Sequence, residues 1–223
     1  MLRVGLTGGL GSGKSTIAAM FAAHGAHILH ADEIGRTLMQ PGNAVYDEIL
    51  RVFGNGIVAS SGAIDRLALA RAAFRDGRLE ELNHIVHPAV VAEQEVCTKK
   101  IFAHDTDAVV IVESALIFEA SLAENVPGWR DRFDKLILVT APEPVKLARF
   151  VARVTEGRTL TDAERAMIES DARARIAVQL PDAAKIPNCD YVIENNGPLP
   201  ETEATVARIW SDLKTQSTAE PGS

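Results

Sequence analysis

The chain opens on Leu2-Arg3-Val4-Gly5-Leu6-Thr7, a short β-prone run that stops at a cluster of glycines. From Lys14 to Ala23 it continues with helix formers and few breakers. Apolar runs recur at residues 108–112, 136–140 and 191–193, with a shorter one at 26–29. They are nearly continuous rather than alternating, which is the pattern of strands covered on both faces. Asn195-Asn196-Gly197 closes the last of them with a turn signal. Helical patterns lie between the runs, so the chain predicts an α/β fold: a parallel sheet with crossover helices.

Two stretches exceed what such a core requires. Residues 33–100 are mostly helical in pattern, broken by the turn Phe53-Gly54-Asn55-Gly56, and residues 150–185 are helical and rich in arginine. Both read as insertions at strand ends, where substrate lobes sit in open α/β sheets. Residues 215–223 are small and polar with one proline and are expected to be a disordered tail.

Composition narrows the partners. At 223 residues there is room for one substantial core with inserted lobes, and a second independent domain is not expected. The chain is 47% hydrophobic and 24% charged, as ordinary soluble globular proteins are. A net charge of −7 gives no overall basic field toward nucleic acid or anionic membrane, so any anion site must be built locally. Cys97 and Cys189 are too few for a disulfide framework and fit small core residues in a reducing compartment. No stretch approaches the roughly 20 apolar residues that cross a bilayer, and glycines interrupt the N-terminal apolar run. The expectation is a cytoplasmic protein.

The chemistry begins at the glycines. Gly8-Gly9-Leu10-Gly11-Ser12-Gly13-Lys14-Ser15, followed by Thr16, satisfies G-x-x-x-x-G-K-S/T between a β-prone run and a helix. Glycines let the backbone turn successive N–H groups inward onto phosphate oxygens, and the following helix adds its positive end. Lys14 then reaches the β- and γ-phosphates of a nucleoside triphosphate, and the Ser15 hydroxyl ligates Mg²⁺. No N/T-K-x-D motif for reading guanine occurs. Glu113, ending the run at 108–112, either orients Mg²⁺ through water or is a strand-end acid in a turn. Asp32 either accepts a proton from an attacking hydroxyl or helps hold Mg²⁺, or else caps the helix that follows it.

The order and spacing of further segments resemble the dephospho-CoA kinases over nearly the whole chain. They are VGLTGGLGSGKST from Val4, Ala31-Asp32-Glu33-Ile34, Gln40-Pro41-Gly42, Phe53-Gly54, GAIDRLAL from Gly62 and Leu82-Asn83-His84-Ile85-Val86-His87-Pro88. Leu116-Ile117-Phe118-Glu119, Gln179 with Lys185, and Asp190-Tyr191-Val192-Ile193-Glu194-Asn195-Asn196-Gly197 complete the set. The resemblance implies a P-loop NTPase-type parallel sheet flanked by helices, with core segments near 1–32, 101–148 and 186–214. It implies an inserted CoA-binding helical lobe near 33–100 and a helical lid near 149–185. The implied reaction is ATP-dependent phosphorylation of the ribose 3′-hydroxyl of dephospho-CoA, with Mg²⁺; no obligate protein partner is evident in the sequence.

Carried over by residue, Asp32 and Lys14 are catalytic. Gly11, Ser12, Gly13, Lys14, Ser15, Thr16 and Arg149 bind ATP, and Asp32, Arg66 and His87 bind the acceptor. Arg66 otherwise reads as a solvated helix charge and His87 as a satisfied histidine at a turn. Arg153 and Arg175 are lid arginines, suited to stabilising charge on the transferring group or simply to a mixed-charge helix surface. Three features depart from the family pattern: His30 where an acid is usual, Ser114-Ala115 where a proline is usual, and a longer lid. A different nucleoside or nucleotide kinase, or an ATP-driven switch, is the competing reading.

Overall fold

The computed structural model describes residues 1–121, 126, 128–155, 158 and 160–218, with backbone only at 74 and 75. In chain order the elements begin with β1 (Leu2–Thr7), α1 (Lys14–Ala23), β2 (His27–His30), α2 (Ala31–Leu38), α3 (Ala44–Phe53), α4 (Arg66–Arg75) and α5 (Leu79–His104). They continue with β3 (Val109–Glu113), α6 (Ile117–Ala120), α7 (Trp129–Arg132), β4 (Lys135–Thr140), α8 (Glu143–Thr155), α9 (Asp162–Ala177), α10 (Asp182–Lys185), β5 (Tyr191–Glu194) and α11 (Leu199–Thr218). All five predicted strands are present within a residue or so at each end, the usual scatter of strand termini.

The strands form one sheet in the order β2-β3-β1-β4-β5, and every pairing is parallel. β1 is central, with Val4 opposite Ile111 of β3 and Lys135 of β4. Strand side chains alternate between faces, so Val4, Leu6, Ile111, Ile137 and Val139 share one face. There they bury against Ile17 and Phe21 of α1 and Val206, Ile209 and Leu213 of α11. On the other face Val112 and Leu136 pack against Ile117, Phe118 and Phe133. Gly5 also lies there, and a Cβ at that position would stand 2.4 Å from Leu136 Cδ2 and 2.9 Å from Ile117 Cδ1. A side chain is excluded at Gly5 because its neighbours already fill the layer.

The two predicted insertions fold as local units. α3, α4 and α5 close around Ile49, Ile57 and Leu69, with Leu38 of α2 and Ile85 and Val86 of α5 packed alongside. α8 and α9 form a helical pair around Leu147, Phe150 and Ala172. Thr161 and Glu164 start α9 with a reciprocal capping box. Residues 156, 157 and 159 of the expected lid lie outside the described residues.

Two expectations need revision. Residues 215–218 are the last turn of α11 rather than tail. The Met1 amino group donates to the Ser217 carbonyl at 2.7 Å and Gln216 Nε2 donates to the Tyr191 hydroxyl at 3.2 Å, docking that turn on β1 and β5. The remaining tail positions, 219–223, lie outside the described residues. Cys97 and Cys189 are free, as expected, but half-buried rather than fully within the core. Among the described residues no helix is long and apolar enough to cross a membrane.

Gly5→Ala is expected to lower stability by about 1–3 kcal/mol in chemical denaturation, the usual cost of overpacking. Gly56→Ala, where nothing lies within 4 Å of the added Cβ, is the matched control and is expected to change little.

Candidate active site

The loop between β1 and α1 is held in shape from several sides. Gly11 and Gly13 have φ of 73° and 95°, which L side chains rarely adopt. The space around them is also taken: a Cβ would stand 2.2 Å from the Lys146 carbonyl at Gly11 and 2.2 Å from Asn195 Nδ2 at Gly13. The Ser12 carbonyl accepts from Asn195 Nδ2 at 2.9 Å and from Arg149 Nη1 at 3.3 Å. Arg149 Nη1 also donates to the Asn195 carbonyl at 2.9 Å, so β5, α8 and the loop are tied at one point. Leu10 N donates to Gln179 Oε1 at 3.2 Å, and the Leu10 side chain joins the hydrophobic cluster of α8 and α9. The loop tip is thereby part of the packing between α8 and α9.

Lys14 is half-buried at the start of α1 and its Nζ donates to the carbonyls of Gly8 at 2.8 Å and Gly9 at 3.3 Å. Burial pulls its pKa below the ordinary lysine value, with the charges of Glu113 and Asp32 opposing that shift. The sheet order explains this company. β2 and β3 are neighbours with His30 opposite Glu113, and their side chains pair at 2.9 Å, Nδ1 to Oε2. His30 therefore does not leave Glu113 isolated, and the first departure from the family pattern becomes a local ion pair when the histidine is protonated.

Asp32 is not a helix cap. The N-cap of α2 is His30, and Asp32 lies in the helix's first turn with its side chain exposed. It borders a cavity of about 270 Å³ between α2, α5 and the segment after β3. Met39, Val86 and Leu116 supply apolar wall to that cavity, and Asp32, His87 and Arg132 supply polar groups. His87 lies inside α5, beside Pro88, rather than at a turn. Burial, then the charge of Arg132, pushes the His87 pKa down, so its ring is neutral at neutral pH. Ser114, the second family departure, lines the same cavity, and its hydroxyl accepts from Leu116 N at 3.2 Å, making the turn a proline would otherwise stiffen.

Not every expected residue converges. Ser15 and Thr16 are exposed in the first turn of α1, beside Lys14. Arg66 is exposed at the start of α4, after the N-cap Asp65, and is not among the residues lining the cavity. Arg153 stacks over Phe150 at 5.4 Å and its charge acts on Lys14. Arg175 pairs with Asp171 at 2.9 Å on an exposed face of α9. Several residues without an expected role do surround the loop. Lys146, nearly fully buried, pairs with Asp182, which also accepts from the Thr140 hydroxyl. The fully buried Lys185 lies 2.9 Å from Glu119 Oε1, an atom that also accepts from Leu180 N. Asn195, Gln179 and Lys185 belong to segments visible in the sequence; Lys146 and Arg132 had no such signal.

Asn195→Ala and Arg149→Ala each remove a donor from the Ser12 carbonyl. Each is expected to weaken binding of a non-hydrolysable ATP analogue about 5- to 30-fold, corresponding to about 1–2 kcal/mol per lost hydrogen bond. The melting temperature is expected to fall by only a few degrees, about what that loss produces in a chain of this size. Calorimetric titration and thermal melts check both.

The sequence profile of the dephospho-CoA kinases matches residues 2–201. A dephospho-CoA kinase from Aquifex aeolicus is 36% identical over 214 residues, covering 96% of this chain and 98% of that protein. The crystal structure of TT1252 from Thermus thermophilus superposes with a TM-score of 0.70 at 28% identity, covering 95% of this chain and 97% of the other. A dephospho-CoA kinase structure from Campylobacter jejuni, at 17% identity and a TM-score of 0.64, shares the fold over 97% of this chain and 98% of its own. With a profile match across nearly its whole length and this level of identity, the chain belongs to the dephospho-CoA kinase family.

Proposed function

We propose that this protein transfers the γ-phosphoryl group of ATP to the ribose 3′-hydroxyl of dephospho-CoA, releasing CoA, ADP and a proton in the last step of CoA synthesis. One observation carries the reading: Asp32 both lines the acceptor cavity and acts electrostatically on Lys14 over the phosphate loop. A carboxylate placed between the two sites serves the hydroxyl that must attack.

In this reading the backbone N–H groups of Gly11, Ser12 and Gly13 and the start of α1 hold the β- and γ-phosphates, with Lys14 as the point charge. The tight glycine cradle and the partly desolvated Lys14 ammonium fit such an anion. Arg149 sits on the loop from the lid side and supports the nucleotide from there. Arg153, whose charge already reaches Lys14, stabilises the transferring group. Arg66, exposed on the helical lobe, and Arg175, on the lid, are assigned to the periphery of acceptor and phosphate binding respectively. Ser15, Glu113 and Asp32 offer the hard oxygen ligands that suit Mg²⁺ shared with nucleotide phosphates and water. When bound there, Mg²⁺ neutralises charge on the β- and γ-phosphates. The lid excludes water, which competes as acceptor, and its packing on Leu10 couples lid position to the loop. The enzyme is taken to work in the cytoplasm on its small-molecule substrates, without an obligate protein partner.

ADP release by the purified protein with ATP and Mg²⁺ is expected to rise strongly with dephospho-CoA and little with AMP or adenosine. No stimulation over the acceptor-free blank removes the proposal, and equal stimulation by AMP redirects it to a nucleotide kinase. Asp32→Asn is expected to lower turnover about 10²- to 10⁴-fold, the range of a lost general base, with ATP affinity nearly unchanged. Turnover near that of the unaltered protein would strip Asp32 of its role.

A further inference from the structure

Arg132 ends α7, just before β4, and is 9% exposed. Its Nε and Nη1 are sealed from solvent and have no hydrogen-bond partner among the described residues. The guanidinium rests on the Phe133 ring at 4.9 Å. Glu95, which borders the adjoining hollow with Arg132, is already engaged by Arg3 at 2.6 Å and Lys99 at 3.3 Å. Asp134, two residues along, accepts the Arg3 backbone N–H at 2.7 Å. Burial, with a smaller contribution from Arg3, lowers the Arg132 pKa to about 10, so the side chain stays charged at neutral pH.

A charged, desolvated guanidinium with no counter-ion among the described residues is strongly unfavourable, and such a group calls for an explanation, a bound ion or a role in binding being the usual ones. Its surroundings say what that is. Arg132 lines the same cavity as Asp32, and its charge is felt by the neutral ring of His87 across that cavity. An acceptor that fills this cavity of about 270 Å³ meets both Asp32 and Arg132. We propose that Arg132 is an anion-binding residue of the acceptor cavity and that it engages the diphosphate of dephospho-CoA. The proposal rests on the acceptor reading above and deepens it: the cavity selects acceptors that carry a phosphate group, and of its two lining arginines the buried Arg132, not the exposed Arg36, is where the selection is made. Arginine suits this role because its weakly hydrated guanidinium tolerates burial and offers several directional donors to phosphate oxygens.

The contrast between binding and stability separates this role from a structural one. Replacing an unpaired buried cation by an apolar side chain of similar size is neutral or stabilising for the fold, whereas removing an anion-binding donor weakens the ligand. Arg132→Met and Arg132→Lys are titrated with dephospho-CoA and, as a phosphate-free probe, with adenosine, and their melting is recorded without ligand. Arg132→Met is expected to bind dephospho-CoA about 10- to 100-fold more weakly, bind adenosine as the unaltered protein does, and melt at or above its temperature. Arg132→Lys, which keeps the charge, is expected to recover part of the loss, and it carries the test alone should the methionine variant not fold. Unchanged affinity for dephospho-CoA, a parallel loss for adenosine, or a markedly lower melting temperature with intact binding overturns the assignment. Because turnover of dephospho-CoA by the unaltered protein is measured separately, failure at Arg132 leaves the acceptor reading standing. Failure of the acceptor reading shows instead as no binding of dephospho-CoA by the unaltered protein.

Discussion

The Ser12 carbonyl is the point at which three parts of the chain meet. It accepts one donor from Asn195, just beyond β5, and one from Arg149, on α8, while belonging itself to the turn between β1 and α1. A glycine loop left to itself has more freedom than any other backbone, and ordering it costs conformational entropy. Here the ordering is done before a ligand arrives, by side chains anchored in the core and the lid. The same closeness removes choice from the sequence: with Asn195 Nδ2 pressed against the site of a Gly13 Cβ, no larger residue fits. Because Arg149 and Leu10 both connect the loop to α8 and α9, a shift of that helical pair is also a shift of the glycine loop.

Around that point the sheet order arranges the chemistry. β3 lies between β2 and β1, so the C-terminal ends of all three open on one crevice, where ligands bind in sheets of this kind. Lys14 follows β1, Asp32 follows β2 and Glu113 ends β3, so one cation faces two carboxylates inside an acidic protein of net charge −7. Cations gather on the same side: Lys14, Arg149 and Arg153 about the loop, and Arg132 in the neighbouring cavity. The protein thus builds its positive potential locally and leaves its overall surface acidic, which suits small anionic substrates and not a polyanion.

Most of the fold was legible in the chain, and the candidate loop and carboxylate could be named from it, because these rest on local signals. Nearly continuous apolar runs located each strand, the glycine spacing located the loop, and Asp32 followed from its place after a strand together with the resembling segments around it. What escaped was decided by partners distant in sequence. The polar composition of residues 215–218 suggested a tail, yet those residues are helical and docked by hydrogen bonds to Met1, before the central β1, and Tyr191, on the edge strand β5. The capping reading of Asp32 failed because helix α2 starts two residues earlier than its sequence pattern suggests, with His30 at the cap. Arg132 sits in a run of ordinary charged residues, Arg130-Asp131-Arg132, and only the fold distinguishes the stacked Arg130 at the surface from the buried Arg132. Arg66 shows the reverse: a recognisable motif put it forward, and the structure leaves it outside the cavity lining.

Phosphoryl transfer to an acceptor and hydrolysis to water both consume ATP, and the placement of Asp32 between loop and cavity favours the first. The direct measurement is the ratio of CoA formed to ADP released in one reaction, with the new phosphate located on the ribose by mass spectrometry. One CoA, phosphorylated at the 3′-oxygen, is predicted for each ADP when dephospho-CoA is saturating. ADP accumulating in clear excess over CoA, or a phosphate on another position, would contradict a site built to deliver the γ-phosphoryl group to that hydroxyl.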